Sequence, residues 1–228
     1  MLGLAAALVR GGQRREAAVS QILRPDNLFQ PFTTTSTGRY PEEFAVVKDA
    51  LGTDTPRILS FGCASGDELF TLRADFPAAL IHGVDINPLA VRTARKRVRD
   101  SGDDRITVER ASDASGLRPA SYDVVLALAV FRHGALKAQP ESCAGLLRFA
   151  DFERTVTGLC TALAPGGLFV IRHANFRFTD CAVAAGFEAV RTGLPSSNEG
   201  GVTPVYDRDD RLVRGAAGDD GIYRKITP

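Results

Sequence analysis

The sequence lacks an excess of charge of either sign. Its 28 Lys and Arg residues stand against 27 Asp and Glu residues, a formal net charge of +1 over 228 residues. That excludes a global field directed at nucleic acid or an anionic membrane, and leaves only a local basic patch to consider. No apolar run is long enough to span a bilayer. Cys63, Cys143, Cys160 and Cys181 are widely spaced, with no CxxC pair and no nearby His cluster. Neither a zinc site nor a dense disulfide framework is therefore expected, and no metal. Free thiols in a reducing cytoplasm are the expectation. What is present is ordinary for a soluble globular protein: 44% apolar and 24% charged residues. The length suits one α/β domain with short additions.

Residues 1–38 read as an N-terminal helix and loop extension, and 39–228 as the main domain. Met1–Arg10 (MLGLAAALVR) has no positive first segment, and Arg10, Arg14 and Arg15 follow at once. It reads as an amphipathic helix packing on the domain or on a partner, self-association included, rather than as a cleaved targeting segment. Residues 28–38 read as an irregular loop. Pro41, Glu42 and Glu43 then open a helix that Gly52 ends.

From there strands and helices alternate. Strands are expected at Arg57–Phe61, Leu80–Asp85, Ile106–Glu109, Tyr122–Ala129, Leu168–Arg172, Phe187–Arg191 and Gly221–Lys225. Helices are expected from Asp67 to about Phe76, from Pro88 to about Asp100 and from Asp151 to Leu163, with a short one near Cys181–Ala185. This alternation predicts a doubly wound, mostly parallel sheet. Ligands of such sheets bind at the carboxyl ends of the strands, at the switch point after strand one. Two stretches break the rhythm. Residues 132–150 read as a substrate-side lid, and 193–220 as a mobile hairpin excursion.

The sharpest feature is the loop Gly62-Cys63-Ala64-Ser65-Gly66 between strand one and a helix. Its glycines permit close approach of a ligand, and the helix after it directs free N–H groups there. Asp85 ends strand two, where a carboxylate can accept hydrogen bonds from a ribose diol or help cap the following helix. Asp113, past strand three, can accept from an adenine amino group or serve as a plain loop acid. Together these describe a pocket for an adenosine-containing ligand. Counted from Gly62, the G-x-G-x-x-G offsets give Gly62, Ala64 and Asp67. A negative Asp67 disfavours a pyrophosphate, and no GK[ST] follows. A cationic, phosphate-free nucleoside, S-adenosylmethionine, suits such a loop better.

At this point the chain resembles the class I S-adenosylmethionine-dependent methyltransferases. The residues are the Gly62–Gly66 loop, Asp85-Ile86-Asn87, Ser112-Asp113, Tyr122-Asp123-Val124-Val125 and Leu163-Ala164-Pro165-Gly166-Gly167, in the family's order. The resemblance covers about residues 40–192 and implies a seven-stranded Rossmann-like methyltransferase fold. It implies that Gly62, Cys63, Ser65 and Gly66 line the cofactor, Asp85 holds the ribose, Ile86 packs on adenine and Asp113 reads its amino group. Ala129 and Val130 would flank the methionyl part. The family places an acid before the first glycine, where this chain has Ser60 and Phe61.

The expected reaction is methyl transfer to a small-molecule acceptor through an O or N nucleophile. His133 is the candidate base, or a loop His satisfied by backbone. His173 and Asn175 either line the same pocket or are structural. Arg39 and Tyr40 either close over the cofactor, Arg39 reaching its carboxylate, or are a surface Arg and a packed Tyr. Arg92, Arg95, Lys96, Arg97 and Arg99 form a basic run with no interleaved aromatics, read as a solvated helix face, so no nucleic acid is expected. An NAD-type oxidoreductase and a non-catalytic cofactor-binding partner domain are the rival readings.

Overall fold

The structure is a computed structural model that describes residues 27–31, 38–193 and 203–226. The expected N-terminal helix and its self-association fall outside the described residues. Helix α1 (Pro41–Ala50) begins as expected, with Pro in its first turn, Glu42 and Glu43 following, and Phe44 and Val47 buried. Strand β1 (Arg57–Phe61), helix α2 (Asp67–Asp75) and strand β2 (Leu80–Asp85) follow. In helix α3 (Pro88–Ser101), the Asn87 side chain accepts from the Leu89 and Ala90 N–H groups, satisfying two donors of the first turn. Strands β3 (Ile106–Arg110) and β4 (Tyr122–Leu128) precede helix α4 (Phe149–Ala162). Strands β5 (Leu163–Arg172), β6 (Phe187–Thr192) and β7 (Gly221–Lys225) complete the sheet.

The strand order is β3-β2-β1-β4-β5-β7-β6. Strands β1 to β5 pair in parallel, and β7 runs antiparallel to both β5 and β6. Alternate residues of the central strands feed two cores. Ile58, Val124, Leu126, Leu168 and Val170 pack with α1 and α2, while Leu59, Val125, Ala127, Phe169 and Ile171 pack with α4. Strands buried on both faces read as continuous apolar runs, which is why the sequence located them well.

Three expectations are corrected. The strand expected from Leu168 already begins at Leu163, so Pro165-Gly166-Gly167 lies inside β5: Leu163 pairs with Tyr122 and Leu168 with Val124, and the strand carries a bulge there. Residues 132–150 are held by burial of Leu136, Cys143 and Leu147 in the α4 core, which a lid free to open does not show. Within the expected hairpin excursion, residues 203–220 are docked. Val205 and Tyr206 are buried, Ser142 bridges to Arg211, and the Tyr206 hydroxyl donates to Pro140 O. Residues 194–202 lie outside the described residues. All four cysteines are free and buried. Among the described residues, no helix is long and apolar enough to cross a membrane.

Candidate functional site

The loop after β1 turns at Gly62, whose φ of +83° is left-handed. A Cβ there would stand 2.8 Å from Val130 Cγ2, so both the dihedral and the space demand glycine. Gly66, at φ +92°, leads into α2 and lies close to Ala94. The Gly62 and Cys63 N–H groups donate to Val84 O at 2.7 and 3.0 Å, pinning the loop to the end of β2.

Asp85 completes that attachment. Its Oδ2 accepts from Ala64 N and its Oδ1 from Asn87 N, both at 2.8 Å. The carboxylate thus joins the loops after β1 and β2 and is 7% exposed. It does brace the approach to α3, but Asn87 is the residue that caps the helix. Ile86, Ala129 and Val130 are half-buried around the same strand ends. Ala129 leaves the β4 ladder with φ +60°, and its N–H donates to Arg172 O. The Cys63 side chain is buried in the α2 core, so only its backbone faces the loop.

Several expected residues also carry local structural duties. Asp113 Oδ1 accepts from Ser115 N at 2.9 Å, and hydrogen bonds from Ser115 hold its carboxyl below the usual range. Tyr40 is buried and precedes α1 at φ +64°. Arg39 donates to the Tyr40 hydroxyl at 2.7 Å and lies over its ring. His133 Nδ1 accepts from Ala135 N at 3.3 Å, which assigns the proton of the neutral ring to Nε2. Burial lowers the His133 pKa. Asn175, 1% exposed, accepts from His133 N and donates to Pro204 O, so it clamps two loops. His173 is buried with φ +56°, its N–H donating to Asp220 Oδ2. Burial, then Arg172, Arg132 and Arg39, depress its ring to about 4, so it is neutral at physiological pH.

Three polar groupings escaped sequence reasoning. The Ser60 hydroxyl donates to Glu68 Oε1 at 2.7 Å, so an acid from the first turns of α2 lies against the β1 position that lacks one. Its proximity to the glycine loop was the available signal. Arg97 bonds Asp67 Oδ1 and Ser65 O at 2.7 and 2.8 Å, and its guanidinium lies over Phe70. Arg97 is thereby removed from the expected solvated face, which the exposed Arg92, Arg95, Lys96 and Arg99 do form. Asp67 is also compensated, so the negative character of this crevice comes from Asp85. The third grouping is Arg172 with Glu43, Nε to Oε1 2.9 Å, both buried beside Asp220.

Burial pushes the Glu68 carboxyl up to about 7, outweighing the Ser60 hydrogen bond and the charge of Arg39. A carboxyl raised on folding stabilises the fold fully below its unfolded value, and this contribution is lost as pH rises toward 7. Glu68→Gln is therefore expected to flatten the fall in Tm between about pH 4.5 and 7. Parallel wild-type and variant Tm profiles across that range would contradict this assignment.

Residues 59–169 match a family model described as a methyltransferase domain. A curated relative from Streptomyces pristinaespiralis, 4-amino-L-phenylalanine/4-methylamino-L-phenylalanine methyltransferase, is 26% identical over 190 residues. The match covers 72% of this chain and 64% of that protein, so the chain spans under two thirds of the relative's length. Phosphoethanolamine N-methyltransferase 2 of Haemonchus contortus, solved with phosphomonomethylethanolamine and S-adenosylhomocysteine, is 20% identical. That match covers 85% of this chain and 38% of the other, with a TM-score of 0.47. The YcgJ protein of Bacillus subtilis is 17% identical over 57% of this chain and 49% of its own, with a TM-score of 0.44. The domain match lies on the strands and loops that build the crevice, and over those residues the chain is similar to a methyltransferase domain.

Proposed function

We propose that this protein transfers the methyl group of S-adenosylmethionine to a small-molecule acceptor by in-line displacement. The observation that carries the reading is Asp85: a buried carboxylate fixed between two loops, at the strand end where a nucleoside sugar is received. The acid and the glycine loop fit a ribose-bearing, phosphate-free ligand. Asp85, rather than the Arg97-paired Asp67 expected from sequence, disfavours a diphosphate. An NAD-type oxidoreductase is not favoured.

On this reading Gly62, Cys63, Ser65 and Gly66 present backbone to the cofactor. Asp85 accepts from the ribose hydroxyls, Ile86 packs on adenine and Asp113 accepts from its amino group. Ala129 and Val130 flank the methionyl part. Arg39 meets its carboxylate, Tyr40 fixes Arg39, and Glu68 faces its ammonium in place of the acid missing at Ser60. The cofactor supplies an already activated methyl group, so much of the acceleration rests on positioning. His133 is the candidate proton acceptor for an O or N nucleophile, through Nε2 in the tautomer that carries its proton on Nδ1 and gives up the hydrogen bond from Ala135 N. The relative's aromatic amine substrates make a small amine one acceptor class to assay first.

Calorimetry with S-adenosylhomocysteine and with NADH, side by side, tests the cofactor. Saturable binding of the first alone is expected, and tight binding of NADH alone would overturn the reading. His133→Asn keeps a capping acceptor and removes the base. It is expected to lower kcat by about a hundredfold for an acceptor that must lose a proton, with S-adenosylhomocysteine affinity unchanged. An unaltered kcat would leave His133 as a cap alone.

A further inference from the structure

On the proposed reading Arg39 meets the carboxylate of the cofactor and Glu68 its ammonium. Glu68 is held by Ser60 on β1, whereas Arg39 precedes α1, so its position depends on how that helix is seated. The charge of Arg39 acts on both the Glu68 carboxyl and the His173 ring, which brings its guanidinium to the crevice wall between α2 and the end of β5. A guanidinium pairs with a carboxylate through a planar fork of donors, so the pairing demands an exact placement.

Two successive residues at the end of β5 seat α1. The Arg172 guanidinium meets Glu43, in the first turn of the helix, at 2.9 Å, and both side chains are buried. The His173 ring lies against the Tyr40 ring with centroids 5.8 Å apart. Phe44 N donates to Tyr40 O, so Tyr40 and Glu43 share one helical turn. Tyr40 and His173 both have left-handed φ, +64° and +56°. Residues other than glycine keep such values where their surroundings over-determine them. The end of β5 is itself tied down: Arg172 O accepts from Ala129 N, and Asp220 accepts from the His173 N–H. Desolvation offsets most of the attraction in a buried ion pair, and in some proteins such pairs are retained for the single arrangement they permit.

We infer that the pairs Glu43–Arg172 and Tyr40–His173 form a two-point clamp that positions Arg39 for the carboxylate at the cofactor's amino-acid end. Glu43, Arg172 and His173 are then positioning residues that act through Arg39. The inference rests on the methyltransferase reading and adds to it the means by which a nucleoside carrying an amino-acid tail is told from one without.

The test compares S-adenosylhomocysteine with 5′-methylthioadenosine, which keeps the nucleoside and the thioether and lacks the amino-acid end, by calorimetry on the full chain. Glu43→Gln should weaken S-adenosylhomocysteine at least about tenfold, the scale of one charge-assisted hydrogen bond, and leave 5′-methylthioadenosine within about twofold. Removing the charge of Glu43 without moving Arg39 would instead favour a carboxylate ligand, so a simple field effect has the opposite sign. His173→Asn, whose side chain tolerates a left-handed backbone, should act the same way and serves if Glu43→Gln does not fold. In an Arg39→Ala background, itself weakened toward S-adenosylhomocysteine, either substitution should have no further effect on that ligand. Equal losses for the two ligands, a further loss in the Arg39→Ala background, wild-type affinity in a folded Glu43→Gln or His173→Asn variant, or an Arg39→Ala variant with unchanged affinity would overturn the proposal. Wild type that binds neither ligand would strike the cofactor reading itself and the proposal with it.

Discussion

Asp85→Ala is expected to weaken S-adenosylhomocysteine binding by at least about tenfold, near 1.4 kcal/mol, the low end for a lost polar partner. The substitution removes the ribose acceptor and also frees the Ala64 and Asn87 N–H groups that the carboxylate now holds at 2.8 Å. Two orphaned donors at a nearly buried position should lower stability by about 1–3 kcal/mol each where water cannot reach them. Binding and folding are therefore read together, by calorimetry on protein shown folded by its unfolding transition. Asp85→Asn separates the two roles, since its amide oxygen can serve only one of the donors as before. A folded Asp85→Ala variant with wild-type affinity would remove Asp85 from the ligand site.

The larger stability effect is expected at Arg172. Its guanidinium lies against Glu43 at 2.9 Å, both side chains being almost wholly buried. Arg172 also lowers the carboxyl of Asp220, although burial still raises both Asp220 and Glu43 overall. Arg172→Met leaves two buried acids without their cation, and breaking a buried pair from one side destabilises by about 3–5 kcal/mol. Because the stranded carboxyls fold more readily when protonated, the deficit should shrink as pH falls through their raised values. Adding Glu43→Leu should recover much of the loss, since an apolar replacement of a whole pair is often neutral. Urea denaturation across pH measures all three. A single variant within about 0.5 kcal/mol of wild type would show that the pair contributes little.

Much of the fold was legible because its signals are local. The apolar runs of β1, β2 and β4, the Pro41-Glu42-Glu43 start of α1 and the Asn87-Pro88 start of α3 each encode an element within a few residues. The bulge in β5 was hidden because Pro165-Gly166-Gly167 carries turn chemistry whether or not a strand continues through it. Residues 193–220 looked mobile because the stretch is polar and rich in Gly and Asp. Yet Asp219 accepts from the N–H groups of Phe178 and Thr179, and Asp220 from that of His173. Those aspartates satisfy backbone distant in sequence, and no local pattern announces such partners.

The same distinction runs through the site. Gly62, Gly66 and Asp85 stand where the strand ends predicted them, because ligand geometry is tied to the turns that follow the strands. Arg97 and Glu68 acquire their roles only when α3 and α2 pack beside the loop. Arg97 reaches Asp67 from the next helix in the chain, and Glu68 accepts from Ser60 on β1. His133 was read correctly as lying past β4, but its capping of Ala135 N depends on a 3-10 turn at Gly134–Ala138 that its sequence does not signal.

The central claim is that one acid at the top of β2 grips the sugar of a positively charged nucleoside lacking phosphate. A crystal structure of the protein grown with S-adenosylhomocysteine tests it most directly. The account predicts ribose hydroxyls within hydrogen-bond distance of Asp85 and the thioether beside Ala129 and Val130. Nucleoside density away from these strand ends, or a diphosphate-bearing ligand seated across Gly62–Gly66, would contradict it.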